Sequence, residues 1–216
     1  MKGRDLAVLA ALLVIGSSCA SWDPVPVPVE MPGVTPFPPA SFTEIIVTNF
    51  RDEAPLPDFQ AGPAFETSLA AELGRAFKGT VSSLTIPPAV APDPLFWKQA
   101  AAGRDRAVFL TGSVRLSGLI RKALQGKNAP LAGLLKASGR RLVEQLRWTF
   151  AADISIVSAA TGEPLYQKTF IEELDYIDLE KTAEFAFHAL SDPVRVHLFQ
   201  ILLGTPTIER RALLKR

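Results

Sequence analysis

The clearest pattern along the chain is a strict alternation that begins near Arg141. Leu142, Leu146, Trp148, Phe150, Ala152, Ile154 and Ile156 fall on one side, and Arg141, Gln145, Arg147, Thr149, Asp153 and Ser155 on the other. An apolar/polar period of two held over some sixteen residues predicts a strand with one buried face. Ala160 to Glu163 reads as a turn with Gly162 free to take positive φ, and Leu165 to Ile171 as the returning partner strand. Upstream, Ala107 to Leu116 reads as a strand able to continue to Arg121, with Val114, Leu116 and Ile120 on one face and Arg115, Ser117 and Arg121 on the other. Phe42 to Phe50 and Thr80 to Ile86 are rich in β-branched residues and complete the predicted strands.

Helical periodicity separates these segments. Phe65, Leu69, Leu73 and Phe77 recur every four residues in a helix opened by Pro63, after a loop from Arg51 to Ala61, and Gly79 ends it. Asp93 is placed to cap a short helix carrying Phe96, Trp97 and Ala100, with Pro94 at its first position. Asp178 is placed to cap a helix carrying Phe185, Ala189 and Leu190, which Pro193 should break or bend. Ser191 to Pro193 then opens a last helix with the stripe Val194, Leu198, Ile201 and Leu202, stopped by Gly204. The order predicts an α/β sandwich over residues 42–204, a mixed sheet with helices on one face, and a core in which Trp148, Phe150, Ile154 and Ile156 meet Phe65, Leu69 and Leu73.

The amino-terminal pattern is different. Lys2 and Arg4 precede an uninterrupted apolar run from Leu6 to Ile15, followed by Gly16, Ser17, Ser18 and Cys19. The run is about half of the roughly 20 residues a membrane-spanning helix needs, so it reads as an export signal over residues 1–18. Ending on Cys19, the only cysteine, it resembles the lipobox of bacterial lipoproteins, which implies lipidation at Cys19. The alternative is an ordinary signal cut after Ala20, with Ser18, Cys19 and Ala20 as the small-residue site. Residues 20–41 contain seven of the 18 prolines, including Pro24, Pro26 and Pro28, and predict an extended polyproline tether. Twenty such residues at about 3.1 Å each would hold a domain roughly 60 Å from the lipid. Residues 205–216 read as a basic tail.

Composition narrows the function classes. Residues 1–18 hold Lys2, Arg4 and Asp5, so removing them from totals of 23 basic and 22 acidic residues leaves 21 of each. A chain without net positive charge gives no sign of a nucleic-acid partner. One cysteine allows no disulfide within the chain, and a hydrophobic fraction of 48% is ample for a core held by burial. His188 and His197 show no metal-ligand spacing, there is no Gly-x-Ser-x-Gly elbow, and Gly126-Lys127 lacks the glycine a phosphate loop requires. Glu172, Glu173 and Asp175 resemble a carboxylate set for glycoside cleavage, but acids continue through Asp178, Glu180 and Glu184 as on a solvated strand end. No cofactor is expected.

Charge is segregated. Arg115 to Arg147 holds eight basic residues and one acid, Glu144, and Glu172 to Glu184 holds six acids and one base, Lys181. The plain reading is two solvated faces. The functional one is a basic arm, with Arg121, Lys122, Lys127, Lys136, Arg140 and Arg141 touching anionic headgroups or an acidic partner.

The stretches Val47-Thr-Asn-Phe-Arg-Asp52, Phe109-Leu-Thr-Gly-Ser-Val114 and Ala159-Ala-Thr-Gly-Glu163, in this order after a lipobox, resemble bacterial envelope accessory lipoproteins. The group is that of CsgG, PelC and LpoB, the amino-terminal domain of TolB, and LptE, and the likeness covers about residues 42–203. It implies a non-enzymatic, lipid-anchored protein acting through protein contacts, with an envelope partner and an oligomer possible. A lipid- or glycolipid-handling role in envelope transport is the alternative. Such lipoproteins use an aspartate after the lipidated cysteine for inner-membrane retention; Ala20 stands there, which implies the outer membrane with a periplasmic domain. The segment between Arg121 and Arg141 lacks sustained alternation and carries Gly126, Pro130, Gly133 and Gly139, which argues against a pore-lining hairpin pair.

Overall fold

The computed structural model describes residues 24–32, 35–37, 41–87, 92–125 and 141–214. The expected signal segment, Cys19, Ala20, and Lys127, Lys136 and Arg140 of the expected arm lie outside these residues. The chain divides into two units, Met1–Gly33 with Pro206–Arg216, and Val34–Thr205.

In the first unit, strand β1 (Pro24–Met31) pairs antiparallel with the strand Thr207–Leu214 (β8), from Pro24 opposite Leu214 to Met31 opposite Thr207. These stretches are the expected polyproline tether and basic tail, and the structure describes them as two paired strands. Pro24, Pro26 and Pro28 are two apart, so their missing N–H donors all fall on one edge. The opposite edge keeps the amides of Val25, Val27 and Val29 for pairing, and a two-stranded ribbon asks nothing of its outer edge.

The second unit is built on β2 (Glu44–Thr48), whose Ile45 and Val47 are buried on one face and Ile46 on the other. It lies parallel to β4 (Thr80–Leu84) on one side and to β5 (Ala107–Gln125) on the other. The short strand β3 (Arg51–Asp52) continues alongside β5. Strands β6 (Arg141–Ser158) and β7 (Pro164–Tyr176) follow in antiparallel order, giving a six-stranded mixed sheet β4-β2-β5-β6-β7 with β3 beside β5.

Helices α1 (Ala61–Ala76) and α3 (Ala183–Leu203) cover one face, and the short α2 (Pro94–Ala101) packs on the other. The alternation of β6 holds as expected: Trp148, Phe150, Ala152, Ile154 and Ile156 join Phe65, Leu69 and Leu73 in the main core. Phe150 meets Phe65 and Phe187 with ring centroids 5.6 Å from each. Beneath α2, Ile46, Trp97, Phe109 and Val157 form a smaller cluster.

Two helix boundaries differ from expectation. Helix α1 starts two residues before Pro63 because the Asp52 carboxylate accepts the free amides of Ala61 (2.8 Å) and Gly62 (3.4 Å) from the preceding strand. The two expected carboxy-terminal helices are one, running through Pro193. An interior proline costs about 3 kcal/mol. Ala186, Phe187 and Leu190 before it, and Val194, Leu198 and Leu202 after it, all bury in the same core, at about 1.5–3 kcal/mol for each of the larger side chains. Continuity therefore wins. Thr182 caps α3 by accepting from Phe185, while Asp178 accepts from Glu180 in a turn. Gly204, in the left-handed conformation, ends the helix as expected.

Phe150 is fully buried between the rings of two helices. Phe150→Ala should lower unfolding free energy by about 3–5 kcal/mol, read as a reduced urea midpoint at unchanged m. A loss below about 1 kcal/mol would show that this face is not the core.

Candidate functional site

The stretch from Val47 to Asp52 sets one side of the uncovered sheet face, and each polar side chain in it has a task. Thr48 donates to the Leu110 carbonyl across the sheet. Asn49 clamps Ile86 twice, donating to its carbonyl (3.1 Å) and accepting from its amide (2.6 Å). Asp52 caps α1 on the helix side, and Arg51, on the opposite side of the strand, stands in open solvent near Glu53 (3.7 Å). With Ile86 held in place, a cleft of about 510 Å³ opens over the floor formed by Thr111, Ser113, Asp153, Ser155 and Gln167. Its floor is polar because these residues occupy the odd positions of β5, β6 and β7, the face the long helices leave bare. Asp153 accepts from the Thr169 hydroxyl, and Ser113 donates to Glu53 (2.6 Å).

Beyond the helices, β5 and β6 continue as a projecting two-stranded arm, with β7 alongside as far as Tyr176. Its root is set by Gly118, opposite Trp148: a Cβ there would come within 3.1 Å of the indole, so glycine lets the ring lie flat on the neighbouring strand. The indole N–H donates to the Lys181 carbonyl (3.3 Å). Farther out, Leu119 on the open face is 66% exposed, and Ile120 and Leu142 on the helix-side face are 57% and 61% exposed.

The segregated charges of the sequence meet on the open face of this arm. Arg147 holds Asp175 through Nε (2.8 Å) and Nη2 (2.8 Å), and Glu173 through Nη1 (2.5 Å). Arg121 reaches the same Asp175 carboxylate (2.5 Å). Asp175 and Arg147 face each other across β6 and β7, and Arg121 lies one strand farther. The hydrogen bond from Arg147, with a second from Arg121, holds the Asp175 carboxyl below its ordinary range against the opposing effect of burial. The same bond raises the Arg147 guanidinium above its own. Glu173 and Asp175 thus stay at the exposed end of the strand, as expected, but both carboxylates are engaged by arginines and do not form a free pair.

Of the expected arm cations, Arg121 is ion-paired, Lys122 lies opposite Glu144 in the ladder, and Arg141 lies opposite Gln125. Arg147, Glu173 and Asp175 form the network's centre and were not among the expected contact residues; the signal was the cross-strand register, which spacing within one segment does not reveal. His188 and His197 sit on α3 beside the rings of Phe187 and Phe170. Among the described residues no group of His, Cys, Asp and Glu is placed to hold a metal ion, and no helix is long and apolar enough to cross a membrane.

No family model and no curated protein matches the chain. Solved structures similar to it include a PelC dodecamer from Paraburkholderia phytofirmans, 13% identical, covering 84% of this chain and 100% of that one at a TM-score of 0.45. A neuraminyllactose-binding hemagglutinin homolog from Helicobacter pylori is 13% identical over 76% of this chain and 84% of that one, at 0.43. Lipoprotein GNA1162 from Neisseria meningitidis is 14% identical over 72% and 97%, at 0.36. At TM-scores this low, none of these likenesses supports a statement about what the chain does.

The Asp175 carboxyl titrates below its unfolded value, so its contribution to the arm is complete above the ordinary aspartate pKa of about 3.9 and is lost as pH falls through the lowered folded value. Amide exchange along residues 117–121 and 145–149 should accelerate on acidification below about pH 4, beyond the intrinsic rate. In Asp175→Asn those amides should exchange faster at neutral pH and lose the acid-dependent step. An unchanged exchange pattern in that variant would show the network to be ornamental.

Proposed function

We propose that the chain is a lipid-anchored, non-enzymatic accessory protein of a bacterial envelope, and that it works through protein contacts made by the projecting arm. The anchor rests on the sequence: a basic start, ten apolar residues and three small ones before Cys19. The contact reading rests on one observation. Leu119, Ile120 and Leu142 are each more than half exposed on both faces of an arm that a cross-strand ion network stiffens. Apolar side chains held out on a rigid element suit a partner that buries them.

The headgroup alternative asks for free cations at the same place. Arg121 shares Asp175 with Arg147, and Lys122 has Glu144 opposite, so the described part of the arm brings acids with its bases. Attraction to an anionic surface scales with the net charge near it, at about 1 kcal/mol per cation. Acids standing beside these bases cancel part of that. Protein contact is therefore the better-supported reading.

Two measurements test it. Mass spectrometry of the mature amino terminus should find an acylated Cys19; an unmodified start at Ser21 would sink the anchor. In intact cells, a photo-crosslinking side chain at Ile120, itself 57% exposed on the arm, should trap one envelope protein reproducibly. Leu119→Asp combined with Leu142→Asp should abolish that adduct without lowering the melting temperature, since both side chains are largely solvated already. Binding of the delipidated chain to anionic vesicles, weakening steeply with salt, would favour the headgroup reading instead.

A further inference from the structure

Strand β7 ends the sheet. It is 13 residues long, pairs only with β6, and among the described residues no strand lies along its outer edge. After the register shift near Ile156 and Val157, the ladder is regular from Tyr166 to Tyr176. Such an edge presents a row of open backbone donors and acceptors, and proteins normally blunt it with charge. Here the charges are arranged in a way that excludes most partners and admits one.

Lys168 and Glu172 share the helix-side face of β7 with Tyr166, Phe170 and Leu174. Four residues along a strand is about 13 Å, so Lys168 and Glu172 cannot neutralise each other within one chain. Lys168 has only the Phe170 ring beneath its ammonium (4.8 Å), and neither residue has an ion-pair partner among the described residues. Every other charge on β7, Glu173 and Asp175, is taken by arginines on the opposite face.

We infer that β7 pairs antiparallel with β7 of a second copy of this chain, about a twofold axis through Phe170. That register sets Lys168 of each copy opposite Glu172 of the other, twice, and Phe170 opposite itself. It sets Thr169 opposite the exposed Ile171, Tyr166 opposite Leu174, and Gln167 opposite Glu173, so no like charges face each other. Among twofold registers that keep the helices of both copies on one side of a continuous sheet, it alone places a cation against an acid. Centring two residues away on Lys168 or Glu172 would oppose identical charges. The contact is isologous and closes at two copies. It uses the outer edge of β7 and neither the anchor nor the exposed Leu119, Ile120 and Leu142, so it stands or falls separately from the contact reading above.

The test uses the full chain purified in detergent, its mass measured by sedimentation across a concentration series. The wild-type chain should dimerise. Lys168→Glu and Glu172→Lys should each weaken the dimer by about tenfold or more, because each turns two attractive cross-strand pairs into repulsive ones. Mixing the two single variants should restore a dimer: the two substituted positions then face each other with opposite charges, and the remaining pair is the native Lys168 with Glu172. The double variant K168E/E172K should also dimerise as wild type. Lys168 is exposed, so its reversal leaves the fold unaffected, and rescue in the mixture separates pairing from misfolding. A wild-type monomer at the highest concentration, an assembly larger than a dimer, or single variants that dimerise like wild type would each overturn the proposal.

Discussion

The larger unit depends on one constraint, the period of two in β6. Its antiparallel ladder with β5 runs unbroken from Val108 opposite Ser158 to Gln125 opposite Arg141. Because the register is continuous, a single choice of face fixes the surroundings of every side chain on three strands. Even positions of β6 from Leu146 to Ile156 join the core under α1 and α3, whereas odd positions stay on the open face, except Val157, which packs beneath α2. A slip by one residue would bury Arg147 and Asp153 and expose Phe150. No rearrangement of helices could compensate for that.

The bare face has its own logic. Two long helices cover only one side, and α2 shields only the end near Ile46 and Phe109. Exposed antiparallel sheet carries polar side chains, and here they pair across strands, Thr169 with Asp153 and Arg147 with Glu173 and Asp175. Isolated surface ion pairs contribute little, but one guanidinium gripping two carboxylates, with a second arginine on one of them, fixes three strands at once. The arm begins where helix packing ends. There, cross-strand charge takes over from hydrophobic burial.

This explains what could be read in the sequence and what could not. The strand over residues 141–156, the stripe of Phe65, Leu69 and Leu73, the cap at Asp93 and the stop at Gly204 are local patterns, and the structure has them. What escaped involves partners distant along the chain. Nothing near Pro24 shows that Thr207–Leu214 will pair with it, and nothing near Asp52 shows that its carboxylate will cap a helix nine residues on. Pro193 misleads for a related reason: its local penalty is legible, whereas the burial that overrides it is tertiary. The charge blocks were visible, but the pairing of Arg121 and Arg147 with Asp175 and Glu173 came from register between strands distant along the chain.

The two edges of the sheet show how the same strand chemistry serves opposite ends. β4 has five residues, Thr80 to Leu84, and none of them is charged. Its shortness protects it, since few backbone groups are on offer and a stranger gains little by pairing. β7 is long enough to be hazardous, and length must be answered by side chains. Uniform charge would have closed that edge to everything. Instead a cation and an acid stand four residues apart on one face, with the buried Phe170 between them. That spacing leaves both charges unpaired against an arbitrary strand and pairs both against its own image. A sequence that needed only to repel would gain nothing from placing opposite signs symmetrically about an aromatic; the symmetry has a physical consequence only when the approaching strand is the same one reversed.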